Sequence, residues 1–291
     1  MPDSPDLGFS KEGAQAIIEQ LRGGAKIRLP FDRIRLMMGL LMKASARNGV
    51  YESTAIPAPL LIHRARRLEK KGKWFKSIND LGPTPSNKTS AYGRCHYPSR
   101  PPVGYWSLYE HTALSEVRAE LKEHYVISTF KMPKGSLLIP IGDLDSYRRV
   151  GQTRLGHAFK KSSNRYKDIL TRRDWAIIAM FDAFLADEFI KPAMTETDYK
   201  ITSAIADVLL YTDLKNVGRV DGIVYPSVAF REGINFAVRN EVFKSKMVPV
   251  IAKTKIVEIT DVFGYGIFAW RVLATLKSVN PDGRLGWELS S

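Results

Sequence analysis

Apolar residues recur at three- to four-residue spacing in several separate stretches, and each such stretch reads as a helix. Ser10 is placed to cap a helix through Gln15, Ile17, Ile18 and Leu21, closed by Gly23 and Gly24. Pro30 suits the first turn of a second helix. Its stripe of Ile34, Met37, Met38, Leu41 and Met42 predicts core packing before Asn48 and Gly49 end it. A third carries Ala113, Leu114, Val117 and Leu121, and two more carry Trp175, Ile178, Ala179, Phe181, Leu185 and Phe189, then Ile201, Ile205, Val208 and Leu209. Short runs rich in branched and aromatic residues predict strands at 60–62, 103–108, 125–132, 136–141, 222–225, 234–238, 248–259 and 266–276.

Strands at both ends thus enclose helices in the middle. That order does not alternate as a doubly wound sheet does, and it predicts an α+β fold with antiparallel strands. The pattern divides the chain into an N-terminal helical extension, residues 1–58, and a core, residues 59–291, holding a helical block at about 160–212. Residues 66–90 have little periodicity, and Gly82-Pro83-Thr84-Pro85-Ser86-Asn87 has the composition of an exposed connection, so this stretch is expected to be a functional loop or lid.

Charge narrows the partners. The chain has 44 Lys and Arg against 30 Asp and Glu, a net charge of +14, and favours partners that carry negative charge. The single cysteine, Cys95, excludes an intramolecular disulfide and any multi-cysteine metal site, and suggests a reducing, cytoplasmic setting. The start Met1-Pro2-Asp3-Ser4-Pro5-Asp6 lacks the pattern of a secretory signal, and the apolar stretch 36–42 is far short of the roughly 20 residues that span a bilayer. No membrane association is expected. His63, His96, His111, His124 and His157 are scattered without metal-ligand spacing, so no catalytic metal is expected either.

Two glycine motifs fail on inspection. Residues 82–89 end in Lys-Thr like a phosphate loop, but Asn87 stands where the second glycine belongs and two prolines remove backbone donors. Gly264-Tyr265-Gly266 lacks a third glycine and reads as a turn.

Three segments combine polar residues with strand and helix context: His63-Arg64; Gly93-Arg94 through Tyr105-Trp106-Ser107 to Thr112-Ala113-Leu114-Ser115-Glu116; and Asp221 to Ser227, with the turn Tyr225-Pro226-Ser227, followed by Asn235. In this order they resemble the RES domain family, over roughly residues 60–238. The resemblance implies the fold of ADP-ribosyltransferases, with an antiparallel, split β-sheet core, and an enzyme that consumes NAD by cleaving its nicotinamide–ribose bond. Water, phosphate or a protein side chain would be the acceptor, and NAD is substrate, not cofactor. It further implies an intracellular toxin, either paired with a neutralising antitoxin or delivered into a target cell by a contact-dependent secretion system and countered by an immunity protein. This chain departs from the family pattern at Cys95-His96, after Gly-Arg, and in the length of the 66–90 loop.

The chemistry needs these residue types. Loss of nicotinamide leaves positive charge on the ribose, which a carboxylate stabilises, and Glu116 is the candidate. Arg64 and Arg94 offer planar forks for the diphosphate. Tyr105 can stack on a ring of the substrate, and the resemblance implies that the Ser227 hydroxyl hydrogen-bonds the ribose or the amide. The expected site therefore has Glu116, Arg94 and Ser227 as its catalytic set, with Arg64, Tyr105, His96 and Asn235 binding substrate. Glu120, by helical angle, lies nearer the apolar face and serves as a control. Cys95 has no base assigned to it and reads as inert. The basic run from Arg64 to Lys76, with Trp74 and Phe75, supports a rival reading as a nucleic-acid-binding module, although no helix-turn-helix, zinc-finger or RNA-binding signature accompanies it.

Overall fold

The Ser10 hydroxyl accepts a hydrogen bond from the Gly13 N–H at 3.1 Å and starts the first helix, which Gly23 closes through its N–H to the Glu19 carbonyl. The computed structural model describes residues 10–23, 29–46, 54–85, 91–98, 100–153, 166–167, 175–193, 195–211 and 220–290. Along the chain run α1 (Lys11–Arg22), α2 (Phe31–Ala46), β1 (Thr54–Ala55), β2 (Leu60–Arg67), α3 (Ile78–Leu81), β3 (Val103–Ser107), α4 (Glu110–Glu116), β4 (His124–Met132), β5 (Leu137–Pro140), α5 (Asp143–Val150), α6 (Trp175–Ile190) and α7 (Lys200–Tyr211). There follow β6 (Gly222–Pro226), β7 (Ile234–Arg239), α8 (Asn240–Lys246), β8 (Val248–Pro249), β9 (Lys255–Gly264), β10 (Ile267–Val279) and β11 (Leu285–Leu289). The fold is α+β. Among the described residues no helix is long and apolar enough to cross a membrane.

The chain forms two compact units. The first, Met1–Thr54 with Ala91–Tyr97 and Leu137–Val220, is mainly helical. α6 is apolar on nearly every side and buries Ile178, Phe181, Phe184, Leu185 and Phe189, as a helix at the centre of a core does. The α2 stripe of Ile34, Met37, Met38, Leu41 and Met42 is likewise buried. Arg22 pairs with Asp187 at 2.5 Å and Arg35 with Asp207 at 2.7 Å, tying α1 to α6 and α2 to α7. The boundary expected at residue 58 separates the first two helices from the helical block; here they share one unit. Asn48, Gly49 and much of 160–174 lie outside the described residues.

The second unit, Ala55–Ser90 with Pro98–Ser136 and Asp221–Ser291, is built on antiparallel strands in the order β6-β7-β3-β2-β4-β9-β10-β11, with β8 paired to β4. β3 pairs along its whole length with β7, and β2 along its whole length with β4. Between them, β2 and β3 meet at a single register position, His63 opposite Ser107. One face of the sheet packs under α4, in a cluster of Ala65, Ala113, Leu114, Ala119, Tyr125, Ile127, Val257 and Ile259.

Residues 66–85 are not a free loop. β2 runs on to Arg67, α3 is opened by a capping box of Ser77 and Asp80, and Ser77 bridges to Arg284. Of the expected loop only 86–90 lies outside the described residues. The run 248–259 was expected as one strand and is two, because Ile251–Lys253 form a 3-10 turn between β8 and β9. Gly264-Tyr265-Gly266 is the turn its sequence predicts, with φ of 83°, 49° and 69°.

Candidate functional site

α4 ends at Glu116, a turn earlier than the apolar pattern suggests. Arg118 takes a left-handed conformation (φ 49°), the Arg118 N–H reaches the Ser115 carbonyl and the Ala119 N–H the Leu114 carbonyl. This is the Schellman closure, with buried Leu114 and Ala119 as its apolar pair. Val117 and Leu121, expected on the buried face, are exposed. The closure leaves Glu116 on the last turn with an exposed side chain.

Two donors hold its carboxylate, and a third hydroxyl orients one of them. Glu116 Oε1 accepts from the Ser227 hydroxyl at 2.6 Å and from Asn235 Nδ2 at 2.5 Å, while the Asn235 Oδ1 accepts from the Ser107 hydroxyl at 2.7 Å. Ser227 Oγ in turn accepts from the Phe230 N–H at 3.0 Å, and the Ser227 N–H reaches the Gly233 carbonyl at 2.8 Å. Ser227, Asn235 and Ser107 are all buried. A Cβ on Gly233 would stand 2.5 Å from the Thr112 methyl and 2.8 Å from the Ser227 Cβ, so only glycine lets this turn lie against α4. Both protein bonds fall on one carboxylate oxygen. Among the described residues nothing bonds to Oε2.

The sequence therefore brings Glu116, Ser227 and Asn235 together, and Ser107 is a member that sequence reasoning missed. Tyr105 sits two residues before Ser107 on β3 and so faces the same side of the sheet. Glu120 is apart, its carboxylate 3.1 Å from the Arg67 guanidinium.

Arg64 leaves β2 on the opposite face from His63. Its guanidinium donates to the Tyr105 carbonyl at 3.2 Å and lies 5.7 Å over the Trp106 ring. It thus crosses the gap where β2 and β3 have ceased to pair. Burial, with a smaller push from Arg66, lowers its pKa from the ordinary guanidinium range to about 9. No carboxylate pairs with it among the described residues.

Arg94 and His96 belong to the helical unit. Arg94 donates to the carbonyls of Phe189, at 2.7 Å, and Lys191, at 3.1 Å, at the C-terminal end of α6, and lies 5.3 Å from the centre of the Tyr199 ring. His96 is buried at the tight Gly93–His96 turn, beside Cys95, whose thiol burial keeps protonated by pushing its pKa up.

The arginines of the basic run are committed within the fold, while Lys70, Lys71, Lys73 and Lys76 are exposed. Arg66 donates to the Asp80 carbonyl at 2.5 Å and to Thr84 Oγ1 at 3.2 Å, Arg67 pairs with Glu120 and Glu123, and Trp74 packs edge-on against Trp287.

Comparison with curated proteins gives no match. Among solved structures the chain is similar to the crystal structure of the M. tuberculosis MbcT-MbcA toxin-antitoxin complex, at 13% identity and a TM-score of 0.37, over 76% of this chain and 92% of that one. The model of the RES domain matches residues 62–259, well over half of the chain. That span takes in Arg64, Arg94, Tyr105, Ser107, Glu116, Ser227 and Asn235, and the chain belongs to the RES domain family.

Proposed function

We propose that this protein is an NAD-consuming enzyme that cleaves the nicotinamide–ribose bond, with Glu116 as the residue that stabilises the developing charge. The observation that carries the reading is the Glu116 carboxylate, fixed at Oε1 by two uncharged donors while Oε2 has no partner among the described residues. When nicotinamide departs with the bonding electron pair, positive charge spreads over the ribose C1′ and ring oxygen, and a carboxylate whose own charge is not quenched by a cation lowers the energy of that state. Ser227 and Asn235 hold one oxygen so that the other needs no reorganisation during reaction. Ser107 fixes the Asn235 amide with its nitrogen toward Glu116.

Tyr105, on the same face, supplies a ring for the nicotinamide or adenine. Arg64, half-buried and without a carboxylate among the described residues, projects from the opposite face and would reach the substrate's diphosphate only through the gap between β2 and β3, where the ligand's charge would repay its desolvation. The acceptor is water, phosphate or a protein side chain, and by family the enzyme acts as a toxin held in check by a partner protein. The nucleic-acid reading rests on the exposed lysines of the run alone, because Arg66, Arg67 and Trp74 have partners within the unit.

Incubating the purified protein with NAD tests this directly. Free ADP-ribose, ADP-ribose 1-phosphate formed only with added phosphate, and labelled protein distinguish the three acceptors. NAD left intact under all three conditions would rule the reading out.

A further inference from the structure

The face that carries Ser107 and Asn235 holds a second titratable side chain. His63 is opposite Ser107, and Ser107 is opposite Asn235, so all three project to the same side of the sheet. The His63 Nδ1 lies 3.0 Å from Thr129 Oγ1, and that hydroxyl donates its single proton to the Lys253 carbonyl at 3.1 Å. Nδ1 must therefore carry a hydrogen and donate it, which leaves Nε2 of the neutral ring as a bare acceptor. Nothing bonds to Nε2 among the described residues.

The groups facing the ring are Glu110 on α4, with Oε1 3.9 Å from Nδ1, Lys255 on β9, Lys253 just before it, and Thr129 on β4. Burial, helped by the two lysines and opposed by Glu110, holds the His63 pKa below the ordinary 6.5, so the ring is neutral at pH 7. Two strand spacings separate His63 from Asn235, about 10 Å between their backbones, and Asn235 in turn holds the Glu116 carboxylate. A residue needed only to hold Thr129 would require one donor. The imidazole adds an acceptor on the face where Glu116 stands.

We propose that His63 contacts the substrate, its Nε2 accepting a hydrogen bond from an O–H or N–H donor of the nicotinamide riboside half of NAD. This rests on the NAD reading above.

The test is calorimetric titration of NAD into Glu116→Gln, alone and combined with His63→Asn or His63→Gln, between pH 5.5 and 7.5. Asn keeps the donor to Thr129 but places no acceptor at Nε2. It should weaken NAD binding about tenfold, the value of one net hydrogen bond, without lowering the unfolding temperature. Gln reaches the Nε2 position and should recover most of that loss. With His63 present, affinity falls as pH drops through its pKa, because the protonated ring no longer accepts; the Asn variant loses this dependence. ADP-ribose, which keeps the hydroxyls but lacks the carboxamide, shows which donor is read: a loss with both ligands assigns the hydroxyl, a loss with NAD alone the carboxamide. If Asn binds NAD like His63, or Gln fails where Asn succeeds, the ring only holds Thr129 and the proposal is overturned. His63-dependent NAD binding without consumption in the otherwise unmodified protein overturns the enzyme reading alone, and no NAD binding in any form overturns both.

Discussion

Helix α4 begins and ends with a carboxylate, about 9 Å apart along its axis, and the fold treats the two oppositely. Glu110, in the first turn, is 2.8 Å from the Lys255 ammonium, which itself lies over the Trp270 ring, and the helix dipole there favours negative charge. Glu116, in the last turn, has the dipole against it and only uncharged donors, Ser227 and Asn235, for company. One charge is neutralised at the end where it is stable. The other is kept whole at the end where it is costly. A residue that only fastens the helix needs the first arrangement; a residue that must answer positive charge arriving on a substrate needs the second.

Breaking the second arrangement should have the largest effect. Glu116→Gln preserves both hydrogen bonds, because an amide oxygen accepts from Ser227 and Asn235 as the carboxylate does, so only charge is lost. NAD turnover should fall about 10²–10³-fold with the melting temperature unchanged, measured by product formation and thermal unfolding; a variant retaining near-parental turnover would remove Glu116 from the chemistry. Asn235→Ala leaves the charge but frees the carboxylate to swing and strands Ser107, and should lower kcat about 10–100-fold. Equal kcat values in parent and variant would show that Glu116 needs no anchor.

Arg64→Lys keeps a cation in the strand gap but loses the fork, so NAD affinity should weaken by about tenfold with kcat little changed; calorimetry showing parental affinity would make Arg64 a structural bond to Tyr105 alone. Glu110→Gln sharpens the comparison from the other end. Turnover at pH 7.5 should change by no more than about threefold. Because Glu110 raises the His63 pKa, removing its charge lowers that pKa further, and any loss of affinity in acid should move to lower pH. A shift toward higher pH contradicts the assignment. Glu120→Gln, touching only a surface pair with Arg67, should leave NAD turnover unchanged.

Much of this arrangement was legible in the chain before folding. The Ser10 cap, the Met-rich stripe and most strands follow from local periodicity, and the family motifs in order named Glu116, Ser227 and Asn235. What escaped depends on contacts between distant residues. α5 has few apolar residues and no local cap; its first N–H groups are satisfied by Asp182 on α6, which accepts from the Gly142 and Asp145 N–H groups at 3.1 and 2.8 Å. The end of α4 was misread because Arg118 occupies a left-handed position where glycine is the usual signal. His63 and Ser107 join the Glu116 face through strand register, which no single strand encodes. Arg94 and Arg64 were recognisable as cations, but a sequence pattern does not disclose that one meets helix-end carbonyls and the other a strand carbonyl.

The single pairing of His63 with Ser107 also has a mechanical meaning. The sheet of the second unit is two stiff plates, β6-β7-β3 and β2-β4-β9-β10-β11, fastened at that point by one rivet, with the Arg64 guanidinium as a strut across the opening. Ladder hydrogen bonds resist bending wherever they are continuous, so flexing should concentrate at this seam. Amide hydrogens on the β3 edge that faces β2 should then exchange with solvent faster than those on the edge that faces β7, and a ligand that bridges the plates should slow them.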